Sequence, residues 1–177
     1  MRTQALLAIL GVSLCGCASL SSDPSAQLTR ETKAAIELLK RADPSLKKLF
    51  EGAEGYAVFP SVGKGGLIVG GAHDIGQVFE KGRLIGEAEL VQVTVGLQIG
   101  GQSYAEIIFF ETKDALARFK ASGLEFSAQV SAVAAAEGVA ENAKYEQGVA
   151  VFTLPKSGLM AEASVGGQKF NYIPYSK

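Results

Sequence analysis

A chain of 177 residues that is 47% hydrophobic and 20% charged carries enough apolar material for one sizeable core and too much for extended disorder. With a formal net charge of -1, no contiguous basic run and no zinc-ligand spacing, it does not have the composition of a nucleic-acid binder.

The first predicted element is a removable one. Met1-Arg2-Thr3-Gln4 carries one positive side chain, and Ala5 to Leu14 is an apolar run too short to cross a bilayer, so residues 1–16 read as a signal peptide. The run ends in Leu14-Cys15-Gly16-Cys17, which resembles the bacterial lipobox, with Cys15 where Ser, Ala, Thr or Val is usual. That resemblance implies cleavage after Gly16 and acylation of Cys17, by palmitate among other chains. The alternative is an ordinary secretory signal with two incidental cysteines. At about 0.8 kcal/mol per buried methylene, several acyl chains on one residue would hold the protein on a membrane almost permanently. With Cys15 removed and Cys17 acylated, the mature chain would have no thiol for a disulfide or a metal. Ala18, in place of aspartate, points to the outer membrane of the cell envelope. Residues 17–27, rich in serine, read as a lipidated tether, and residues 28–177 as one domain.

Two amphipathic helices are predicted next. Leu28, Ala35, Leu38, Leu39 and Ala42 fall on one stripe, with Arg30, Lys33, Glu37, Lys40 and Arg41 on the opposite arc. Asp43-Pro44 reads as the N-cap and first position of a second helix burying Leu46, Leu49, Phe50 and Ala53, with Lys47 and Lys48 turned away.

After Gly55 the pattern becomes period two. Strands are expected near 56–60, 65–72, 76–81, 90–100 and 103–110, followed by a helix near 113–122 capped by Thr112 and stopped by Gly123. Further strands are expected at 124–132, 148–154, 158–166 and 168–173, while the alanines of 133–144 fit either state. Gly70-Gly71, Gly100-Gly101 and Gly166-Gly167 recur near strand ends, where glycines let a sheet bend. The expected fold is α+β: a strongly curved antiparallel sheet or partly closed barrel, two N-terminal helices and the helix near 113–122.

Catalytic motifs are thin. Val58 occupies the first glycine position of a Walker A loop and Gly65 follows Lys64 where Ser or Thr belongs, while Ile68 stands where a dinucleotide fingerprint needs its third glycine. His73, the single histidine, reads as a turn residue and cannot by itself supply a zinc site. Glu87 and Glu89 share a strand face, which formally opens a two-carboxylate glycosidase, but such pairs are usually solvated. The expectation is a non-enzyme with no catalytic residues, cofactor or metal.

The ordered set Gly55-Tyr56-Ala57-Val58-Phe59-Pro60, Lys64-Gly65-Gly66 with Gly70-Gly71 and Gly76, Val95-Gly96-Leu97-Gln98-Ile99-Gly100-Gly101-Gln102, and Lys156-Ser157-Gly158-Leu159-Met160-Ala161 resembles the SYLF domain family from about Ala34 onward. The chain lacks the tryptophan-containing turn of many eukaryotic members. The resemblance implies a module that binds anionic phospholipid or phosphoinositide headgroups through an N-terminal amphipathic helix and nearby basic residues. By position this assigns Lys40, Arg41, Lys47, Lys48 and Lys64 as candidate lipid-binding residues. Some family members bind actin, which for a bacterial envelope protein would require a host encounter. The alternative function is a structural or protein-docking envelope lipoprotein.

Overall fold

The computed structural model describes residues 23–66, 68–121, 125–126 and 133–176, with backbone alone at 95–99, 125–126 and 158–166. Helix α1 runs Pro24–Ala42, beginning four residues earlier than the sequence pattern suggests. The cause is local: Asp23 accepts a hydrogen bond from the Ser25 N–H at 3.0 Å, and Pro24 supplies a preset φ in the first turn. Residues 24–27 are therefore helix, not tether. Helix α2 is Leu46–Gly52. Leu46 and Ala53 are buried and Leu49 and Phe50 half-buried, as expected for that stripe; on α1 it is Thr32, Ala35 and Leu39 that are buried, while Leu38 is exposed.

Strands β1 (Gly55–Gly66), β2 (Val69–Glu80) and β3 (Arg83–Phe110) follow, then α3 (Lys113–Lys120), the short β4 (Glu125–Phe126) and β5 (Val133–Ala134), a 3-10 turn at Ala140–Asn142, and β6 (Val149–Pro174). Several expected strands are fused. The segments 90–100 and 103–110 belong to one strand of 28 residues, and 148–154, 158–166 and 168–173 to one of 26. The glycine pair 70–71 lies at the start of β2, as expected, whereas 100–101 and 166–167 lie inside ladders, not at strand ends. A residue without a side chain can pass through a ladder without ending it.

Among the described residues the strands form one six-stranded sheet, antiparallel except for the β5–β6 pair, and it is not closed. Its register places β3 at the centre. The first half of β3 pairs with β2 from Arg83↔Glu80 to Val95↔Val69, and the second half pairs with β1 from Gly101↔Gly65 to Phe110↔Gly55. Because β1 and β2 also pair with each other, the two halves of β3 flank the β1–β2 hairpin. β6 follows β3 from Gly86↔Pro174 to Phe110↔Val149.

Both faces of this sheet are covered around Ile107 to Phe110, which explains that continuous apolar run. Phe59, Leu90, Ile108, Phe110, Val151 and Phe170 pack on one face with Leu116 and Phe119 of α3. Alternate residues Val58, Ile107, Phe109, Ala150 and Phe152 pack on the other with Ala35 and Leu39 of α1 and Leu46 of α2. Rings bridge the elements: Phe119 lies 4.9 Å from Phe110 and 5.4 Å from Phe170, and Phe50 lies 5.0 Å from Phe109, edge to face. Thr112 caps α3 as its sequence suggests, accepting from the Ala115 N–H at 3.2 Å.

Candidate functional site

The basic residues expected to meet lipid are distributed over three elements. On α1, Lys40 places its Nζ 4.7 Å from the centroid of the Phe50 ring, and Arg41 donates from Nε to the Glu37 carbonyl at 3.3 Å. On α2, Lys47 pairs with Glu51 at 3.9 Å and Lys48 with Glu141 at 3.8 Å, all four side chains more than half exposed. Pairs so exposed stabilise the fold by at most about 1 kcal/mol. Lys64 stands apart, half-buried on β1 near the hairpin turn, in register with Ala72 and Gln102. Cys17 lies outside the described residues. The apolar stripes of α1 and α2 face the sheet, and no described helix is long and apolar enough to cross a membrane.

His73 is not in a turn but in the middle of β2, opposite Val91, with Nε2 3.1 Å from Glu89 Oε1. Glu87 does share its strand face with Glu89, and accepts from the Tyr175 hydroxyl at 2.6 Å. An open groove of ≈ 650 Å³ lies beside them under the start of α1, lined by Gln27, Leu28, Glu31, His73, Asp74 and Ile75 among others. No group of three metal-ligating side chains occurs among the described residues.

A polar cluster in the sheet interior escaped the sequence reading. Glu106 is fully buried, and Gln168 donates from Nε2 to its Oε2 at 2.9 Å and to Gln92 Oε1 at 3.3 Å. The Tyr104 hydroxyl donates to the same Gln92 oxygen at 3.2 Å. Burial pushes the Glu106 carboxyl up to about 7, against the Gln168 hydrogen bond and with the help of the Asp74 charge. Asp74 is itself raised by burial, although it accepts from the backbone N–H of Ser61 and of Ile75 where the β1 register shifts. The signal was available in the alternation: Gln92 and Glu106 occupy the same parity as the buried Leu90 and Ile108.

A second feature is apolar. Ile68, Val69, Val91 and Val93 are exposed around the β1–β2 turn and on the adjoining part of β3.

Residues 91–172 match the family model of Ysc84, described as Las17-binding protein actin regulator. Beta cell expansion factor A of Aeromonas veronii is 31% identical over 159 residues, which cover 82% of this chain and 56% of that protein. The chain thus spans about half the length of that relative. The segment matched by the family model runs from β3 to β6 and contains the whole Gln92, Tyr104, Glu106 and Gln168 cluster, whereas Lys40, Arg41, Lys47, Lys48 and Lys64 all precede it.

Proposed function

This chain belongs to the Ysc84 (SYLF) family, and from that membership we propose that it is a phospholipid-binding module acting at a membrane surface, with a preference for anionic headgroups. The family match is the observation that carries the reading. Lys47 and Lys48, exposed on α2, support it, since each cation near an anionic bilayer contributes about 1 kcal/mol. The reading is of a binding protein and not an enzyme. It takes the sheet as strongly curved, an assignment supported by the two halves of β3 flanking one hairpin.

Acylation at Cys17 and residence in the outer membrane are part of the same proposal, supported by the Leu14 to Cys17 sequence. Intact-mass analysis of membrane-extracted protein is expected to find an acylated N-terminal Cys17; an unmodified N-terminus at another residue contradicts it. Lipid binding itself is tested with the full chain carrying Cys17→Ser, which removes any acylation. It should co-sediment with phosphatidylglycerol-containing vesicles and less with phosphatidylcholine alone, and salt should weaken the difference.

One observation favours a second reading: the family's own description names a protein partner. In that case the unlipidated chain binds neither vesicle and is a protein-docking module of the envelope.

A further inference from the structure

Resting on the lipid-binding reading, we propose that the membrane is engaged by the β1–β2 hairpin end of the sheet, through Ile68, Val69, Val91 and Val93, and not by the apolar stripe of α1. The α1 stripe is already occupied, with Ala35 2% and Leu39 0% exposed against the sheet. At the hairpin end the situation is reversed. Ile68 is 68%, Val69 64%, Val93 57% and Val91 42% exposed. Val69, Val91 and Val93 share one face, because Val91 pairs with His73, Val93 with Gly71 and Val95 with Val69, and residues of equal parity point the same way. Gly71 opposite Val93 has no side chain to cover it.

The charge pattern selects the occupant. Gly65 to Ala72 and Leu90 to Ala105 contain no charged residue, and Ser157 to Gln168 contains only Glu162. Passing inward from the hairpin end, the first charged side chains on β1 and on the two arms of β6 are Lys64, Lys169 and Lys156, the last donating to the Pro60 carbonyl at 3.1 Å. The first carboxylates on β2 and β3 are each engaged within the protein: Asp74 by the backbone N–H groups of Ser61 and Ile75, Glu89 by His73, and Glu106 by Gln168 in the buried cluster. An apolar end whose one charged residue is Glu162, bordered by lysines, matches the acyl boundary of an anionic bilayer with its headgroups above. The backbone is prepared for that environment as well. Gly65 pairs with Gly71 and Gly101, and Gly71 with Val93, so the glycine-rich end meets its hydrogen-bonding needs inside its own ladder.

The chain contains no tryptophan, which makes single-tryptophan variants clean depth probes. In the full chain carrying Cys17→Ser, Val69→Trp and Val93→Trp are expected to be quenched by brominated acyl chains in phosphatidylglycerol vesicles. Leu84→Trp, exposed at the opposite end of the β2–β3 pair, should not be. The triple variant Ile68→Ser, Val69→Ser, Val93→Ser should keep the wild-type circular dichroism and lose at least tenfold in vesicle affinity. Vesicle binding that leaves the Val69→Trp and Val93→Trp probes unquenched, or that the triple variant retains in full, overturns the insertion but leaves the lipid-binding reading standing. Failure of the parent chain to bind any vesicle overturns both. Self-association of the parent chain without vesicle binding, abolished in the triple variant, assigns the face to a second copy and overturns the proposal.

Discussion

Gln168 on β6 donates to Glu106 on β3 at 2.9 Å inside the sheet, while the second carboxyl oxygen of Glu106 makes no hydrogen bond among the described residues. An ionised carboxylate held there by one neutral amide is poorly compensated, and the Asp74 charge adds to the penalty. The folded carboxyl therefore keeps its proton up to about 7, against 4.5 for the free group.

The direction of the pH effect follows. Between about pH 4.5 and 7 the unfolded chain releases this proton and the folded chain retains it, so stability declines as pH rises through that window, by about 3 kcal/mol in all. Glu106→Gln should match the wild type in urea unfolding at pH 4 and exceed it by up to about that amount at pH 8. Equal stabilities of the two proteins at pH 8 would contradict the assignment.

Asp43 works in the opposite sense. Burial acts to raise its pKa, but hydrogen bonds from Ser45 and from the backbone N–H groups of Ala140, at 2.7 Å, and Gly138, at 3.2 Å, outweigh burial and lower it. Its contribution is present above the unfolded carboxylate value near 4 and is lost as pH falls through the depressed folded pKa. Asp43→Ala leaves buried donors unpaired and should cost about 3 kcal/mol at pH 7. Limited proteolysis should then cut near Gly138, and an intact 138–142 segment in the variant would show that this carboxylate does not hold it.

Much of the core is legible in the sequence, because 103–110 reads as a strand and Leu46, Leu49, Phe50 and Ala53 fit one helical stripe. Asp43 reads as the N-cap of a helix that begins at Pro44, whereas α2 begins at Leu46 and Asp43, at the end of α1, accepts from Ser45 instead. Its longer bonds to Gly138 and Ala140 join positions 95 and 97 residues away, which no local pattern encodes. The glycine pairs 100–101 and 166–167 mislead on strand ends for a related reason. A glycine signals a missing side chain, and only the ladder reveals whether the chain turns there or continues. Arg41, Lys47 and Lys48 are legible as exposed, whereas Lys40 and Lys64 are half-buried.

Gly100 tests the glycine argument directly. Its φ of 109° lies where a β-branched side chain is strained, within β3 between the arms that pair with β2 and β1. Gly100→Val should destabilise the chain by roughly 1 to 3 kcal/mol. Gly76→Ala should be costly for a different reason, since its Cβ would stand 2.5 Å from the Val58 carbonyl oxygen. Thermal unfolding of both variants at the wild-type midpoint would remove backbone shape as the explanation for these glycines.

The most direct measurement compares three full chains, all carrying Cys17→Ser, for binding to phosphatidylglycerol-containing and phosphatidylcholine vesicles at low and high salt. They are the parent, the four-site variant Lys40→Glu, Arg41→Glu, Lys47→Glu, Lys48→Glu, and the triple serine variant of Ile68, Val69 and Val93. The parent should prefer the anionic vesicles. The four-site variant should lose affinity chiefly at low salt, where unscreened charge matters, and the serine variant at least tenfold at both. A parent chain that binds anionic and neutral vesicles equally, or neither, would contradict the account.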